Sequence, residues 1–174
     1  MINLAQPLPR LFIIMGVGGT GKSSLAKQMA HELELVFIDA DDFHSLENIS
    51  KMTKAIPLTD ADRSNWLQLI ALHIEEHILS NKNLIISCSA LKEQYRTTLQ
   101  ITPNHIKFVY LKGTQALIET RLNARQNHFM KASLLTSQFV ILEEPKNTLT
   151  IDITHLPQEI STTIQHSFGL LPKK

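Results

Sequence analysis

Short apolar runs alternate with amphipathic stretches along this chain. The runs that predict buried strands are 11–15, 36–38, 84–86, 106–111 and 149–153. Between the second and third runs, apolar residues from Trp66 to Ile78 recur at the three- and four-residue spacing of one helix face. Strands that alternate with helices predict an α/β fold whose parallel sheet is covered by helices on both faces.

Further helices are predicted at 24–30, 91–99, 115–125, 132–142 and 157–168. Residues 59–62, just before the long helix, resemble a capping box. His73 and His77 are spaced as metal ligands on that helix, but their otherwise apolar face favours a packing role. Because ligands of parallel sheets bind beyond the carboxyl ends of the strands, a site is expected in the loops there.

Length and composition are those of an ordinary globular protein. At 174 residues, the chain is expected to form one domain, 1–174. Its 17 Lys and Arg nearly balance 16 Asp and Glu, which argues against a general nucleic-acid or membrane surface. Cys88 is the only cysteine, so an internal disulfide is excluded. The run at 11–15 is too short for a signal core or a membrane span, and we expect a cytoplasmic protein.

Residues 16–23, GVGGTGKS, fit the phosphate-binding pattern G-x-x-x-x-G-K-[ST]. They follow a predicted strand and open a predicted helix, which is the context that this motif requires. Glycines let successive backbone N–H groups line a concave nest, and the helix adds the positive end of its dipole. Lys22 can reach the outer phosphates, and the Ser23 hydroxyl can ligate Mg²⁺. The residues expected to bind ATP here are Gly16, Val17, Gly18, Gly19, Thr20, Gly21, Lys22, Ser23 and Ser24.

Two signatures of other phosphate-loop proteins are missing from the sequence. Guanine-specific proteins usually carry Asn-Lys-x-Asp after a late strand, and the nearest string, 81–84, lacks the aspartate. The third predicted strand ends in Ser87-Cys88-Ser89 in place of the aspartate of the larger ATPases. The usual second Mg²⁺ anchor must therefore come from elsewhere.

Carboxylates follow the second predicted strand, at Asp39, Asp41 and Asp42. At this end of the sheet they would face the crevice of the phosphate loop, and in an extended chain Asp39 and Asp41 point to one side. One could hold Mg²⁺ through water, and the other could accept a proton from a substrate hydroxyl. A helix N-cap cluster is an equally good interpretation, and the two are compatible if Asp42 is the cap.

Cations that could stabilise a migrating phosphoryl group occur later in the chain. Arg121 and Arg125 are four residues apart on one predicted helix face. The segment 123–131 also carries His128 and Lys131 and no acid, which is typical of a lid over phosphates. A solvated basic helix end explains the same residues and is slightly favoured without other information.

Together these segments resemble the gluconokinase family, within the wider group of shikimate-kinase-like and nucleoside-monophosphate-kinase-like P-loop proteins. The resemblance covers nearly the whole chain. Its most specific strings are 15–17, 39–44 (DADDFH), 48–52 (NISKM), 57–63 (PLTDADR), 66–67, 87–92 (SCSALK), 95–96, 110–113, 121–125, 128–129, 137–139 and 142–145. Several such strings in the right order are far more specific than the phosphate loop alone.

The resemblance implies ATP-dependent phosphorylation of D-gluconate at the 6-hydroxyl. It implies a three-layer P-loop fold with a five-stranded parallel sheet in the order 2-3-1-4-5, a small lid at about 123–131 and a substrate-side helical region at about 42–80. The implied roles are Asp41 as the base, Asp39 as a water-mediated Mg²⁺ partner, Arg121 and Arg125 as lid cations, and Arg121 and Pro145 as neighbours of adenine. Relatives are often dimers, which makes a homodimer the expectation.

Gluconate itself carries a carboxylate and a row of hydroxyls. The cations that could bind the carboxylate are Arg63, Lys92 and Arg96, each of which could equally form a structural ion pair. Asp41, His44 and Ser89 could bind the hydroxyls.

Three positions depart from the family pattern. Ala40 and Ala55 stand where glycine is common, and Asn65 stands where proline usually precedes the tryptophan. None removes a reactive group, but Ala55 and Asn65 leave the sugar-acid preference open. A kinase for another sugar acid or polyol is therefore a second hypothesis. A nucleotide-binding regulator that has lost transfer is a third, which the retained reactive residues disfavour.

Overall fold

The computed structural model describes residues 10–102, 105–124 and 132–170. Five parallel strands form one sheet in the order β2-β3-β1-β4-β5, which confirms the expected order. The strands are β1 (Leu11–Met15), β2 (Val36–Asp39), β3 (Leu84–Ser87), β4 (Ile106–Lys112) and β5 (Leu149–Asp152). The central strand β1 therefore has a neighbour on each side, and its carboxyl end lies in the middle of the sheet edge.

Helices occupy most of the connections between strands. Over the described residues they are α1 (Lys22–Leu33), α2 (Leu46–Thr53), α3 (Asp60–Leu79), α4 (Glu93–Leu99), α5 (Gln115–Asn123), α6 (Ala132–Ile141) and α7 (Pro157–Ser167). A 3₁₀ helix, Ala40–Phe43, follows β2. The capping box of α3 is formed, since Thr59 Oγ1 accepts from Asp62 N and the Asp62 carboxylate accepts from Thr59 N. None of the helices described is long and apolar enough to span a bilayer.

The sheet separates two hydrophobic clusters, one under each helical layer. Phe12 and Ile14 of β1 pack in the cluster that contains residues of α1 and α7. The alternate residues Ile13 and Met15 pack in the other cluster, with Trp66 of α3. Because successive side chains of a strand point to opposite faces, the single run of β1 contributes to both cores.

The helix α2 was not predicted from the periodicity of apolar residues. Its buried residue is the polar Asn48, whereas Leu46 is 86% exposed, so an apolar stripe does not mark its inner face. Ala55 closes the helix with a φ of 60°, and Ile56 N donates to Lys51 O. A residue with a Cβ loses about 1 kcal/mol in this left-handed conformation, which explains physically why glycine suits this position.

Candidate active site

The phosphate loop joins β1 to α1 over residues 16–23. Gly16 adopts a φ of 143°, and a Cβ there would lie 2.7 Å from Leu111 O, so the loop could not pass β4 with any larger residue. Gly21, with a φ of 93°, is the N-cap of α1, and no side chain caps this helix. Backbone N–H groups alone form the start of the helix, which is the arrangement that binds phosphate.

Lys22 closes over this loop. Its Nζ donates to Val17 O at 2.9 Å. Burial lowers the pKa of Lys22, and the nearby Asp41 and Asp39 carboxylates oppose that shift. The two carboxylates therefore lie on the same rim of the sheet as Lys22, as a phosphoryl-transfer site requires.

The acidic segment after β2 differs from the predicted extended run. The strand ends at Asp39 and the 3₁₀ helix begins at once, so the alternation argument for Asp39 and Asp41 was wrong. The N-cap is Asp39, whose Oδ1 accepts from Asp41 N at 3.1 Å, and not Asp42. The tight turn nevertheless brings all three carboxylates to one cavity, which Lys22 also lines.

Asp41 combines solvent access with an enclosed setting. Its side chain is 70% exposed, but into a concave cavity rather than to open surface. The protein around the Asp41 carboxylate partly desolvates it, which raises its pKa. The positive charge of Lys22 opposes this rise, and the negative charges of Asp39 and Asp42 add to it. A carboxylate with a raised pKa is the better proton acceptor.

The cavity beside these carboxylates has a volume of about 440 Å³. The predicted substrate residues that line it are Asp41, His44, Arg63 and Ser89. His44 stacks on Trp66 with ring centroids 4.5 Å apart, and Trp66 Nε1 donates to Ala40 O at 2.6 Å. Trp66, which the helical pattern assigned to the core alone, therefore also forms the cavity wall. We call this space the acceptor cavity.

Arg63 is the one of the three predicted carboxylate-binding cations that reaches the acceptor cavity. It is 9% exposed, and its Nη1 donates to the carbonyls of Leu58 and Thr59. Its guanidinium also lies 5.7 Å from the centre of the Tyr95 ring. These contacts fix the guanidinium in place at the cavity wall.

Lys92 and Arg96 do not line the acceptor cavity. Lys92 Nζ lies 2.8 Å from Asp60 Oδ1 in an ion pair between α3 and the start of α4. Arg96 Nη1 donates to Ala90 O at 3.0 Å and to Leu91 O at 3.1 Å. Both residues therefore make structural contacts, as the alternative interpretation had it. Their expected role in binding substrate is not supported.

A second cavity, of about 420 Å³, lies on the other side of the phosphate loop. Gly19, Thr20, Gly21 and Ser24 line it, together with Arg121, whose Nη2 donates to Ile153 O at 2.6 Å. Other walls of this cavity were not predicted, because the connection from β5 to α7 carries no motif; they are Ile153, His155, Pro157 and Ile160. We call this space the nucleotide cavity.

Two predicted residues are not found there. Pro145 lines a third cavity with Arg96 and Glu143, and none of that cavity's described lining residues belongs to the phosphate loop. The adjacent Glu144 forms an ion pair with Lys112 Nζ at 2.7 Å. This position does not support the expected contact of Pro145 with adenine, which stays a prediction. Arg125 and residues 125–131 of the predicted lid lie outside the described residues, and their role stays a prediction.

Gln138 was not predicted as a site residue. It projects from α6, and its Oε1 accepts from Gly18 N at 2.6 Å, directly on the phosphate loop. It also lines the acceptor cavity with Leu134 and Ser137. The only sequence signal was the string 137–139, to which no role had been attached.

Side-chain oxygens that could bind Mg²⁺ lie between the phosphate loop and the neighbouring strands. Ser23 Oγ donates to Ser87 Oγ at 3.2 Å, and Ser87 is paired in register with Asp39 on β2. Within the described parts of the chain, no group of three or more His, Cys, Asp or Glu side chains could by itself hold a metal ion. A hydroxyl and a carboxylate beside a phosphate loop are a donor set of the kind that Mg²⁺ uses together with phosphate oxygens and water.

A phosphate loop between two cavities, on a parallel sheet of this order, defines a P-loop kinase. The shikimate kinase family model matches residues 18–164. The thermoresistant gluconokinase of Escherichia coli K12 is 40% identical over 160 residues, which cover 89% of this chain and 91% of the relative.

Solved structures agree with the sequence relatives. A sugar kinase from Janibacter sp. HTCC2649 superposes with a TM-score of 0.89 at 37% identity, covering 94% of this chain and 96% of the other. A gluconokinase from Sinorhizobium meliloti 1021 gives 0.82 at 36% identity, covering 94% of both chains. The chain therefore belongs to the gluconokinase family, within the shikimate kinase group.

Proposed function

We propose that this protein transfers the γ-phosphate of ATP to the 6-hydroxyl of D-gluconate, giving 6-phospho-D-gluconate and ADP. The observation that carries the proposal is the phosphate loop, which lines the nucleotide cavity on one side and the acceptor cavity on the other. Lys22 and Asp41 meet on the acceptor side. The gluconokinases that resemble this chain supply the name of the acceptor.

The reaction needs one proton acceptor and one site of positive charge. As the acceptor oxygen attacks the γ-phosphorus, the hydroxyl proton passes to Asp41, and the bond from the γ-phosphorus to the β–γ bridging oxygen breaks to release ADP. Lys22 and the loop N–H groups stabilise the charge that develops on the phosphoryl oxygens. Arg121 contributes from the nucleotide cavity, and Arg125 is proposed as a second cation from the lid.

The acceptor cavity offers groups that suit a polyol acid. Arg63 presents a fixed cation for the carboxylate, while His44 and Ser89 can bind hydroxyls. Ser23 and Asp39, the latter through water, would hold Mg²⁺, which shields phosphate charge when bound. By resemblance we also propose a homodimer, which sedimentation equilibrium of the purified protein would test.

An assay of ADP release with a panel of acceptors tests this function. The panel is gluconate, idonate, shikimate and a nucleoside monophosphate, with product identity established by mass spectrometry and ³¹P NMR. We expect ADP release that depends on gluconate and yields the 6-phosphate. A preference for idonate or another member would assign a related sugar-acid kinase instead. ADP release that ignores every acceptor, or none at all, would contradict phosphoryl transfer.

A further inference from the structure

His44 is held at the wall of the acceptor cavity with each ring nitrogen facing a different neighbour. Its Nδ1 lies 3.4 Å from Asn48 Nδ2, and its Nε2 lies 3.9 Å from Asp41 Oδ1. The His44 side chain is only 5% exposed, and its stacking on Trp66 fixes the ring plane. One nitrogen therefore faces the protein interior, and the other faces the carboxylate proposed as the base.

Asn48 determines which of these nitrogens carries the proton. Asn48 is 4% exposed, and its side-chain nitrogen lies 2.8 Å from Asp62 O. A backbone carbonyl only accepts, so the end of the amide that faces it must be the NH₂ group. The same nitrogen faces His44 Nδ1 with its second hydrogen. Since NH₂ only donates, Nδ1 must be the unprotonated acceptor and the ring proton must be on Nε2.

Burial keeps the His44 ring neutral, because the two charged groups beside it have opposite signs. Asp41 faces it from the 3₁₀ helix and Arg63 from α3. A second ring proton, on Nδ1, would point at the NH₂ group of Asn48. Burial, followed by the Arg63 charge, lowers the pKa of His44 to about 4. His44 is thus a neutral donor at the pH values where a kinase works.

We propose that Asn48 is a positioning residue that fixes His44 as an Nε2–H donor beside Asp41, so that the pair recognises a vicinal diol. This inference rests on the proposed phosphoryl transfer to a polyol acid. One hydroxyl gives its proton to Asp41, and the oxygen on the neighbouring carbon accepts a hydrogen bond from His44. An acceptor without that second hydroxyl leaves the His44 Nε2–H without a hydrogen-bond partner. An unpaired donor in a desolvated binding site costs binding free energy, so such an acceptor is used poorly.

Nitrogen-15 NMR of the ligand-free, histidine-labelled protein tests the tautomer directly, with His44→Phe to assign the signal. We expect an Nε2–H tautomer that does not titrate between about pH 5.5 and 8. Asn48→Ala should give a mixture of tautomers. Ser45→Ala is the matched control, because Ser45 Oγ caps the same helix through Asn48 N and its loss weakens α2 without freeing His44. An Nδ1–H signal in the natural protein, or an unchanged tautomer in Asn48→Ala, would overturn the proposal.

Steady-state kinetics with two acceptors test whether the site recognises a vicinal diol. The natural protein should prefer gluconate over its 5-deoxy analogue by at least about tenfold in kcat/KM, and Asn48→Ala should reduce that preference while the KM for ATP is retained. Equal use of the two acceptors by the natural protein would refute diol recognition. Absence of any gluconate phosphorylation would instead refute the proposed function, and the NMR result would still decide the role of Asn48.

Discussion

The two sides of the active site are built in different ways. The phosphate loop is made of backbone: glycines with positive φ, an uncapped helix start and one lysine. The acceptor side is made of side chains from the 3₁₀ helix, α2 and α3, which hydrogen bonds and ring stacking hold together. The residues of the backbone site form one short contiguous motif in the sequence, whereas the residues of the side-chain site come from separate segments of the chain. Substitutions on the phosphate-loop side should therefore affect ATP binding and phosphoryl transfer, and substitutions on the acceptor side should affect the use of gluconate.

Lys22→Ala should have the largest effect. It removes the only loop side chain expected to carry charge to the transferring group, so kcat/KM should fall by about 10²–10³-fold. Steady-state kinetics would measure the loss, and a thermal melt would show whether the fold survives. Lys27→Ala, on the same helix and placed over the Phe37 ring, is the control and should stay near the natural rate. Normal catalytic efficiency in Lys22→Ala would remove Lys22 from the mechanism.

Asp41→Asn should reduce kcat by about 10²-fold or more, because the amide cannot accept the hydroxyl proton. ATP affinity, measured by calorimetry, should remain nearly unchanged, since Asp41 belongs to the acceptor side. Asp42→Asn is a matched change at the adjacent carboxylate and should lower kcat much less. Equal losses in the two variants would show that general negative charge, and not a base at position 41, matters.

Acid should destabilise the acceptor side through His44. Its pKa is about 4 in the folded protein against 6.5 in the reference state, so between these values the unfolded chain binds more protons. The free energy of unfolding should therefore fall as the pH drops from 6.5 to 4, by at most about 3 kcal/mol. Urea unfolding of the natural protein and of His44→Phe, which keeps the aromatic stack, measures this contribution.

Two other carboxylates titrate below that window, whereas the raised pKa of Asp41 moves its titration toward the window. Asp60 and Asp62, whose pKa values are lowered to about 2 mainly by hydrogen bonds from Lys92 and Lys51, lose their stabilising charge only at lower pH. Asp60 and Asp62 are present in both the natural protein and His44→Phe, so their titration contributes equally to the two unfolding curves. A His44→Phe variant with the same slope between pH 4 and 6.5 as the natural protein would show that His44 is not the titrating group.

Arg63→Met should raise the KM for gluconate by about tenfold and leave the KM for ATP unchanged, because a cation–carboxylate contact is lost on the acceptor side alone. Lys92→Met serves as the control, since Lys92 pairs with Asp60 outside the acceptor cavity and such exposed pairs contribute little. An unchanged gluconate KM in Arg63→Met, or an equal rise in Lys92→Met, would reassign the carboxylate contact.

Hydrophobic patterning predicted all five strands, as apolar runs, and the long helix α3, as a helical period, because these elements contribute apolar residues to the two cores. It missed α2, whose buried residue is polar, and the 3₁₀ helix, which is too short to show a period. The resemblance supplied the strand order, and the structure confirmed it.

The sequence by itself determined the phosphate loop, since eight contiguous residues carry the glycines, the lysine and the serine that the chemistry needs. Only the tertiary structure decided which of Arg63, Lys92 and Arg96 reaches the acceptor cavity. Lys92 is held by Asp60, which the fold brings close from α3, and Arg96 is held by the carbonyls of Ala90 and Leu91, just before α4. The same is true of His44 and Asn48, because the amide that orients the ring is itself oriented by a carbonyl on another helix.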